Sequence, residues 1–418
     1  MTDGLPLITR EDAILAAVRE LFPAHLHERI LLTGGTVRDL LLGKTGEDVD
    51  LTAAVAAAEL LPLGFRHVTP VSAAPILFRF HPSLGKVEIT LVEPTAPLEA
   101  DLRRRDFTVN AMALTLDGRL HDPLGGRQAL TERVLAVCSE RAFQDDPMRI
   151  FRAFRFEATG WRLAASAEAL IRERDWDGPL RAMPAERFSG EMLKALAGTD
   201  PGRFFCRMLE FGVGSSFVPE LFRMAAVPAG PLTHHPEGDL FSHSLETLDR
   251  AARLSSDVPV RLSAFFHDLG KLATATECYP RHHGHDRAGA AIAEDLCGRL
   301  RLSAAVRRAL VWTCRLHLVA ARWPELRDGT KMRVAEEARK AGISAILPLI
   351  VAADKGRAGG MEGWELAVMV AGLSGAELGI DPRLLAGGDE EVQTLPPERR
   401  AAFIRERRVA EFRRRLRG

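Results

Sequence analysis

The chain opens with a helix-period block, passes into short strand-like runs, and then stays helix-periodic over most of its length. Thr9 to Leu21 carries apolar residues at helical spacing, with Thr9 as a cap. Leu31-Leu32 ends an apolar run that predicts a buried strand, and Thr36 to Leu42 predicts a short helix stopped by Gly43. Asp48-Val49-Asp50 leads into Leu51 as a second strand. Ala53 to Leu61 predicts a helix closed by Pro62 and Gly64; Phe65–Val71, Ile76–Phe80 and Val87–Val92 predict short strands. Pro147 fits the first turn of a later helix, with Asp146 as its cap. Ala165 to Gly212 predicts helices broken at Gly178-Pro179 and Asp200-Pro201-Gly202, and Pro228 to Pro236 marks a boundary. Pro396 to Gly418 predicts a helix that its arginines make basic on most sides, either a phosphate-binding element or a solvated tail.

Composition changes this picture little. At 418 residues the chain is long enough for several domains, and 27% charged with 46% hydrophobic residues is ordinary for a soluble globular protein. The formal net charge is zero, so any nucleic-acid surface has to be local. The five cysteines are scattered and odd in number, with no CxxC pair, which argues against a disulfide framework or a cysteine zinc site. No signal-peptide core and no apolar run of membrane-spanning length is present, so a cytoplasmic enzyme with no membrane partner is expected.

The chemistry concentrates first in Leu31–Asp50. Gly34-Gly35 make a turn at the positive end of the following helix, which suits a phosphate. Asp48 and Asp50, two apart on a strand, point to one face and present two hard oxygen ligands together, as Mg²⁺-assisted phosphoryl transfer requires. Glu88 is either a third carboxylate facing that pair or an exposed strand acid. The joint pattern G-G-x-V-R-D-x-L-L-G followed by D-x-D resembles the head of the class II tRNA nucleotidyltransferase and bacterial poly(A) polymerase family, on the polymerase-β-like nucleotidyltransferase fold.

Two further stretches extend the resemblance. Arg104-Arg105-Asp106-Phe107-Thr108-Val109-Asn110-Ala111 matches the family's second motif; Arg105 can neutralise triphosphate charge, and Asp106 and Asn110 can fix the ribose and the helix geometry. Ala142 to Glu157 matches the third, where the family reads its incoming base with an acid and an arginine three residues apart; Asp146 and Arg149 have that spacing. Asp145-Asp146 stands where the family usually has Glu-Asp. Arg149, Arg152 and Arg155 recur every three residues, interleaved with Phe151, Phe154 and Phe156. By the same resemblance Gly34, Gly35, Arg38, Asp39 and Arg105 belong to the nucleotide site, with Arg152 a further base contact.

A second chemistry begins after Phe241. The ordered set His243, His267-Asp268 and Asp354 resembles the HD phosphohydrolase superfamily, in which these residues hold a divalent metal on a helical bundle. Imidazole with carboxylate suits Mn, Ni, Co, Fe or Zn better than Mg, and a divalent metal such as Ni, Mn, Co or Mg is expected there. Lys271 is a candidate for the scissile phosphate, and His285 and His317 either complete a second metal site or bind substrate. One bacterial branch of CCA-adding enzymes carries such a segment behind its head, including a stretch like Tyr279-Pro280-Arg281-His282-His283-Gly284-His285.

The resemblance therefore implies an α+β protein: a head over residues 1–128 with a mixed sheet and helices, an all-helical neck over 129–230, a helical HD domain over 231–360 and a basic helical tail over 361–418. The implied activity is untemplated addition of C, and possibly A, to a tRNA 3′ end. Its substrates are CTP and ATP, with Mg²⁺ on Asp48 and Asp50, and a phosphohydrolase is appended. The alternatives are a poly(A) polymerase and an HD hydrolase with a non-catalytic tRNA-binding head. The connection Glu93 to Ala100, between the last strand and Asp101, is shorter than the resemblance implies and holds two prolines, which stiffen it. A pocket without a flexible lever there fits one base, which points to addition stopping at CC, against full CCA addition.

Overall fold

The computed structural model describes residues 12–44, 48–68, 75–93, 98–233, 235–356, 359–381 and 396–417. The chain divides into two compact units, Met1–Trp176 and Asp177–Gly418.

The first unit is built on a seven-stranded sheet of order β3-β4-β5-β2-β1-β6-β7. Helix α1 (Ala13–Glu20) is capped by Asp12, whose carboxylate accepts the Ile14 N–H at 2.9 Å; Thr9 lies outside the described residues. Strand β1 (Ile30–Thr33) runs into α2 (Gly35–Leu41), and β2 (Asp48–Ala53) follows. Ala53 is the last residue of β2, so the helix expected over Ala53–Leu61 is corrected to α3 (Ala57–Leu60), after which a 3-10 turn carries Pro62. Ala53 pairs with Ile30 on one side and Leu91 on the other, and these ladder bonds override the helix propensity of the alanine run. Next come β3 (Arg66–His67), β4 (Ile76–His81) and β5 (Gly85–Leu91). The strand expected over Phe65–Val71 lies partly outside the described residues. All pairings are antiparallel except β2 with β5, which is parallel and sets Asp50 opposite Glu88.

Helix α4 (Leu98–Arg103), β6 (Ala113–Thr115), β7 (Leu120–His121), α5 (Gly126–Glu132) and β8 (Val134–Leu135) complete that layer. Then come α6 (Ala142–Asp145), α7 (Met148–Glu157), β9 (Arg162–Leu163), paired in parallel with β8, and α8 (Ala165–Arg172). Phe151 and Phe154 are fully buried on α7, with Phe107 against Phe156 edge-on at 6.0 Å.

The second unit is helical. It comprises α9 (Asp177–Arg181), α10 (Ala185–Leu196), α11 (Gly202–Phe211), α12 (Pro219–Met224), α13 (Leu240–Leu254) and α14 (Val258–Phe266). After a 3-10 turn at Leu269–Ala273 follow α15 (His285–Arg299), α16 (Ala304–Ala321), α17 (Asp328–Ala341), α18 (Ile346–Lys355), α19 (Trp364–Ala371) and α20 (Pro397–Arg417). Gly178-Pro179 is not a break but sits in the first turn of α9, where a proline costs no helical hydrogen bond; the Asp200–Gly202 break falls between α10 and α11 as expected.

The reading of the arginine-rich end as a solvated tail is also corrected. Glu336 on α17 is buried and takes Arg405 Nε at 3.1 Å and Arg408 Nη1 at 3.0 Å; Phe412 is 1% exposed in a core shared with Trp323, Met332 and Trp364. Two guanidinium groups compensate the one buried carboxylate. No helix among the described residues is long and apolar enough to cross a membrane.

Candidate active sites

The first unit holds a cavity of about 1040 Å³ against one face of its sheet, lined among others by Gly34, Gly35, Asp50, Glu88, Arg105 and Asn110, together with Asp106, Asp146, Arg149 and Arg152. Gly34 needs its freedom: its φ is +71°, and a Cβ there would stand 3.0 Å from Arg105 Nη1 and 3.2 Å from Asp50 Oδ2. Asp50 is fixed by its own backbone N–H, which donates to Thr36 Oγ1 at 2.8 Å and so ties β2 to the first turn of α2. Burial, then the Glu88 charge, pushes the Asp50 carboxyl above its ordinary value against the pull of Arg105 and Arg152. The strand register puts Asp48 on the same face, exposed and outside the cavity lining. Glu88 faces Asp50 rather than standing away from it, and it is paired with Lys86.

The cations around the cavity are held by short bonds. Arg105 Nη2 donates to Thr52 Oγ1 at 3.1 Å and lies 3.3 Å from Asp101. Arg38 reaches Asn110 Oδ1 at 2.6 Å and forks onto Asp39 at 2.9 Å, with its guanidinium 5.2 Å from the Phe156 ring centroid. Neither Arg38 nor Asp39 lines the cavity; they brace Asn110, which does. Asp106 is buried, accepts from Asn110 Nδ2 at 3.0 Å and the Phe107 N–H at 2.7 Å, and has Arg152 Nε 2.9 Å from its other oxygen without the alignment of a hydrogen bond. Arg149 donates to the carbonyls of Ala142 at 3.1 Å and Arg104 at 2.6 Å, so its plane is fixed between α6 and the segment after α4. Asp146 accepts the Met148 N–H at 3.2 Å, but α7 begins at Met148 with Pro147 as its flanking residue, so the cap expected at Asp146 and the first-turn place expected for Pro147 are each corrected by one residue.

The second unit brings a histidine cluster around one carboxylate. His267 Nε2 and His243 Nε2 stand 3.3 and 3.5 Å from Asp268 Oδ2, and 3.7 and 3.3 Å from Asp354 Oδ1. His285 Nε2 and His317 Nε2 stand 3.1 and 3.2 Å from Asp268 Oδ1. Every imidazole is oriented through its other nitrogen. Nδ1 of His267 bonds the Ala264 carbonyl at 2.9 Å, that of His285 the His282 carbonyl at 2.6 Å, that of His317 the Cys314 carbonyl at 2.9 Å, and that of His243 the Glu237 carboxylate at 2.7 Å. The four Nε2 atoms and Asp268 Oδ1 are buried without a hydrogen-bond partner. Buried orphans of this kind, converging from five side chains, fit metal ions: one group is His243, His267 and Asp268, with Asp354 beside it, and another is Asp268, His285 and His317. Asp268 is shared by both.

Burial alone would push the Asp268 carboxyl up, but Lys271 and His267 hold it well below the ordinary range. Burial alone would likewise lower His267, but Asp268 and Asp354 raise it to about 10. Lys271 is buried, with Nζ 2.6 Å from Asp268 Oδ2 and 2.6 Å from the Ala229 carbonyl, so it is already engaged by the cluster. Gly270 lets the 3-10 turn lie against α15: a Cβ there would collide with the His285 carbonyl. The residue sequence reasoning missed is Glu237, which takes both His243 and His235, the latter at 2.9 Å; the His235-x-Glu237 spacing ahead of His243 was the available signal.

Comparison with known proteins follows the same division. The family model of the HD domain matches residues 240–355, and that of the Poly A polymerase head domain matches residues 77–136. The multifunctional CCA protein of Alkalilimnicola ehrlichii is 38% identical over 326 residues, covering 74% of this chain and 78% of that one. That of Methylococcus capsulatus is 37% identical over 354 residues, covering 79% and 83%. Among solved structures, a CCA-adding enzyme in complex with CTP superposes with a TM-score of 0.64 at 22% identity, covering 96% of this chain and 92% of that one. The Thermotoga maritima CCA-adding enzyme complexed with tRNA gives 0.60 at 21%, covering 97% of each. These last two establish a shared fold.

Proposed function

We infer the function from one premise: the chain belongs to the multifunctional CCA protein family, tRNA nucleotidyltransferases that carry an HD domain. The first unit adds C, and A where its pocket admits it, to a tRNA 3′ end from CTP and ATP. The observation that carries this is the placement of Asp50 and Glu88 on neighbouring strands at the edge of a cavity whose other wall is Gly34-Gly35, Arg105 and Asn110. Asp48 and Asp50 are the ligands for Mg²⁺, which when bound activates the acceptor hydroxyl and stabilises the leaving pyrophosphate. Gly34 and Gly35 offer backbone N–H groups to the phosphates, and Arg105 adds fixed positive charge. Asp106 and Asn110 hold the ribose, with Arg38 and Asp39 locking Asn110 in its rotamer. Asp146 and Arg149, with Arg152 next to them, meet the base by accepting from an exocyclic amine and donating to ring atoms. Residues 1–128 act as the catalytic head, 129–230 as the neck that carries the base-reading helix, 231–360 as the HD domain and 361–418 as its closing segment.

The second unit hydrolyses phosphoesters at the HD cluster. His243, His267, Asp268 and Asp354 would hold a divalent transition metal, Ni, Mn or Co before Mg, which would polarise the phosphate and activate a water. His285 and His317 hold a second ion through Asp268. Lys271 sets the charge of Asp268 rather than reaching for substrate. The free cysteines, together with a tRNA substrate, support a cytoplasmic location.

The test is a tRNA lacking its CCA end, incubated with CTP, ATP or both, with the product ends sequenced. C addition from CTP is expected. Extension by ATP alone into long tails would instead make the chain a poly(A) polymerase. The short connection between β5 and α4 supports a stop at CC when both nucleotides are present; efficient addition of A to tRNA ending in CC overturns that finer reading and leaves the transferase standing.

A further inference from the structure

The sheet face that carries the carboxylates does not end at them. Cross-strand partners share a face, so the register makes Asp48, Lys86 and Phe80 one row and Asp50, Glu88, Phe78 and Arg66 the next. The opposite face is the buried one, filled by Val49, Leu51, Leu77, Val87 and Ile89. Phe80 is 71% exposed, which an isolated core-forming strand does not explain. Its ring meets Phe78 edge-on at 5.9 Å, and Lys86 Nζ stands 5.9 Å from the Phe78 ring centroid. Arg66 is exposed at the end of its row. The result is a shelf of two aromatic rings flanked by Arg66 and by Lys86, whose ammonium also pairs with Glu88.

The shelf lies outside the nucleotide cavity. Asp50 and Glu88 line that cavity, whereas Asp48, Lys86, Phe78 and Phe80 do not. The carboxylates therefore stand between the two. In-line displacement at phosphorus puts the attacking oxygen and the leaving pyrophosphate on opposite sides. With the triphosphate in the cavity, the acceptor hydroxyl arrives from the other side, over Asp48. Strands are about 4.8 Å apart, so Phe80 lies two spacings, roughly 10 Å, from Asp48 along its row.

We propose that Phe80 and Phe78 form the stacking platform for the last bases of the RNA acceptor, with Lys86 and Arg66 beside its phosphates. Aromatic faces accept any base, and cations track the backbone, which is the chemistry of single-stranded RNA recognition. A platform indifferent to base identity suits an acceptor whose terminal base changes with each addition. The proposal rests on the transferase reading of the first unit.

The experiment compares Phe80→Ala and Phe80→Trp with the wild-type full chain. Phe80→Ala is expected to raise KM for the tRNA acceptor roughly tenfold and to leave KM for CTP within about twofold; Phe80→Trp keeps both near wild type. In parallel, an RNA acceptor minihelix ending in 2-aminopurine loses fluorescence on binding wild type and Phe80→Trp, but not Phe80→Ala. An unchanged acceptor KM in Phe80→Ala, or quenching that survives it, overturns the platform while C addition by the wild type keeps the transferase. If the wild type adds no nucleotide, the transferase reading fails, and the fluorescence arm alone then decides the platform. A dimer that Phe80→Ala dissolves, with RNA binding unaffected, gives the shelf to a second copy of the chain and overturns the proposal.

Discussion

The two sites handle buried charge in opposite ways. In the first unit Asp50 and Glu88 sit on adjacent strands and oppose each other, and the carboxyl of Asp50 is pushed up by burial and by that neighbour. Lys86, Arg105 and Arg152 offset this only in part, which leaves the pair ready for a cation. In the second unit a single buried carboxylate, Asp268, has four imidazoles and Lys271 within 3.5 Å, and each imidazole is locked from behind. A few half-open oxygen ligands suit an ion that comes and goes with its nucleotide, whereas a closed imidazole cage suits a resident one.

The comparison breaks most sharply at the acids. Asp50→Ala is expected to lower nucleotide addition by about 10³-fold or more while phosphoester hydrolysis persists, because the ion that stabilises the leaving group loses its anchor. Steady-state assays of both activities on one preparation check this, and wild-type addition by the variant would sink the assignment. Asp268→Ala is expected to do the reverse: metal-stimulated hydrolysis of a 2′,3′-cyclic nucleotide is lost and CTP addition persists. Because it also leaves Lys271 buried without its carboxylate, its thermal midpoint falls, and Asp268→Asn should fall less.

A smaller effect separates ligand from support. Glu237→Gln keeps the shape but weakens the grip on His243 Nδ1, and metal affinity measured by titration with Ni or Mn should drop about 10- to 100-fold. Addition of C should not change. The gentlest probe is pH. His267 has its folded value raised from 6.5 to about 10, so in metal-free protein its stabilising contribution is complete below 6.5 and is lost as pH rises through about 10. Asp268 and Asp354 have theirs depressed below 3.8, so their contribution is present above 3.8 and lost as pH falls further. The contribution of His267, Asp268 and Asp354 to the melting of the metal-free protein should therefore be greatest between pH 3.8 and 6.5. Added Ni should move the maximum upward, since imidazole binds metal only when neutral. A midpoint independent of pH from 6 to 10 without metal would contradict the cage electrostatics.

Much of this was legible in the sequence because it is local. Gly34-Gly35, α2 and the Asp48–Asp50 spacing follow from turn chemistry and from the period of two along a strand. His267-Asp268 lies next to Gly270 on one turn, so its role shows without any tertiary information. What the sequence hid is long-range. The parallel pairing of β2 with β5 decides that Glu88 faces Asp50, and nothing near Glu88 announces it. Arg149 spends two donors on the carbonyls of Ala142 and Arg104, a constraint that only the fold creates. Ala53 was lost to the alanine run beside it, although two ladders claim it. The arginines of α20 gave a charge count but not the buried Glu336 that accepts two of them.

That last helix also bears on how the protein is made. Phe412 fills a core with Trp323, Met332 and Trp364, so the second unit cannot finish its packing until α20 has been synthesised and docked. During translation the first unit, with its sheet complete well before, can already be folded while α17 and α19 still show apolar surface. The nascent HD cluster then passes through a stage at which its histidines have been made but its scaffold is still open.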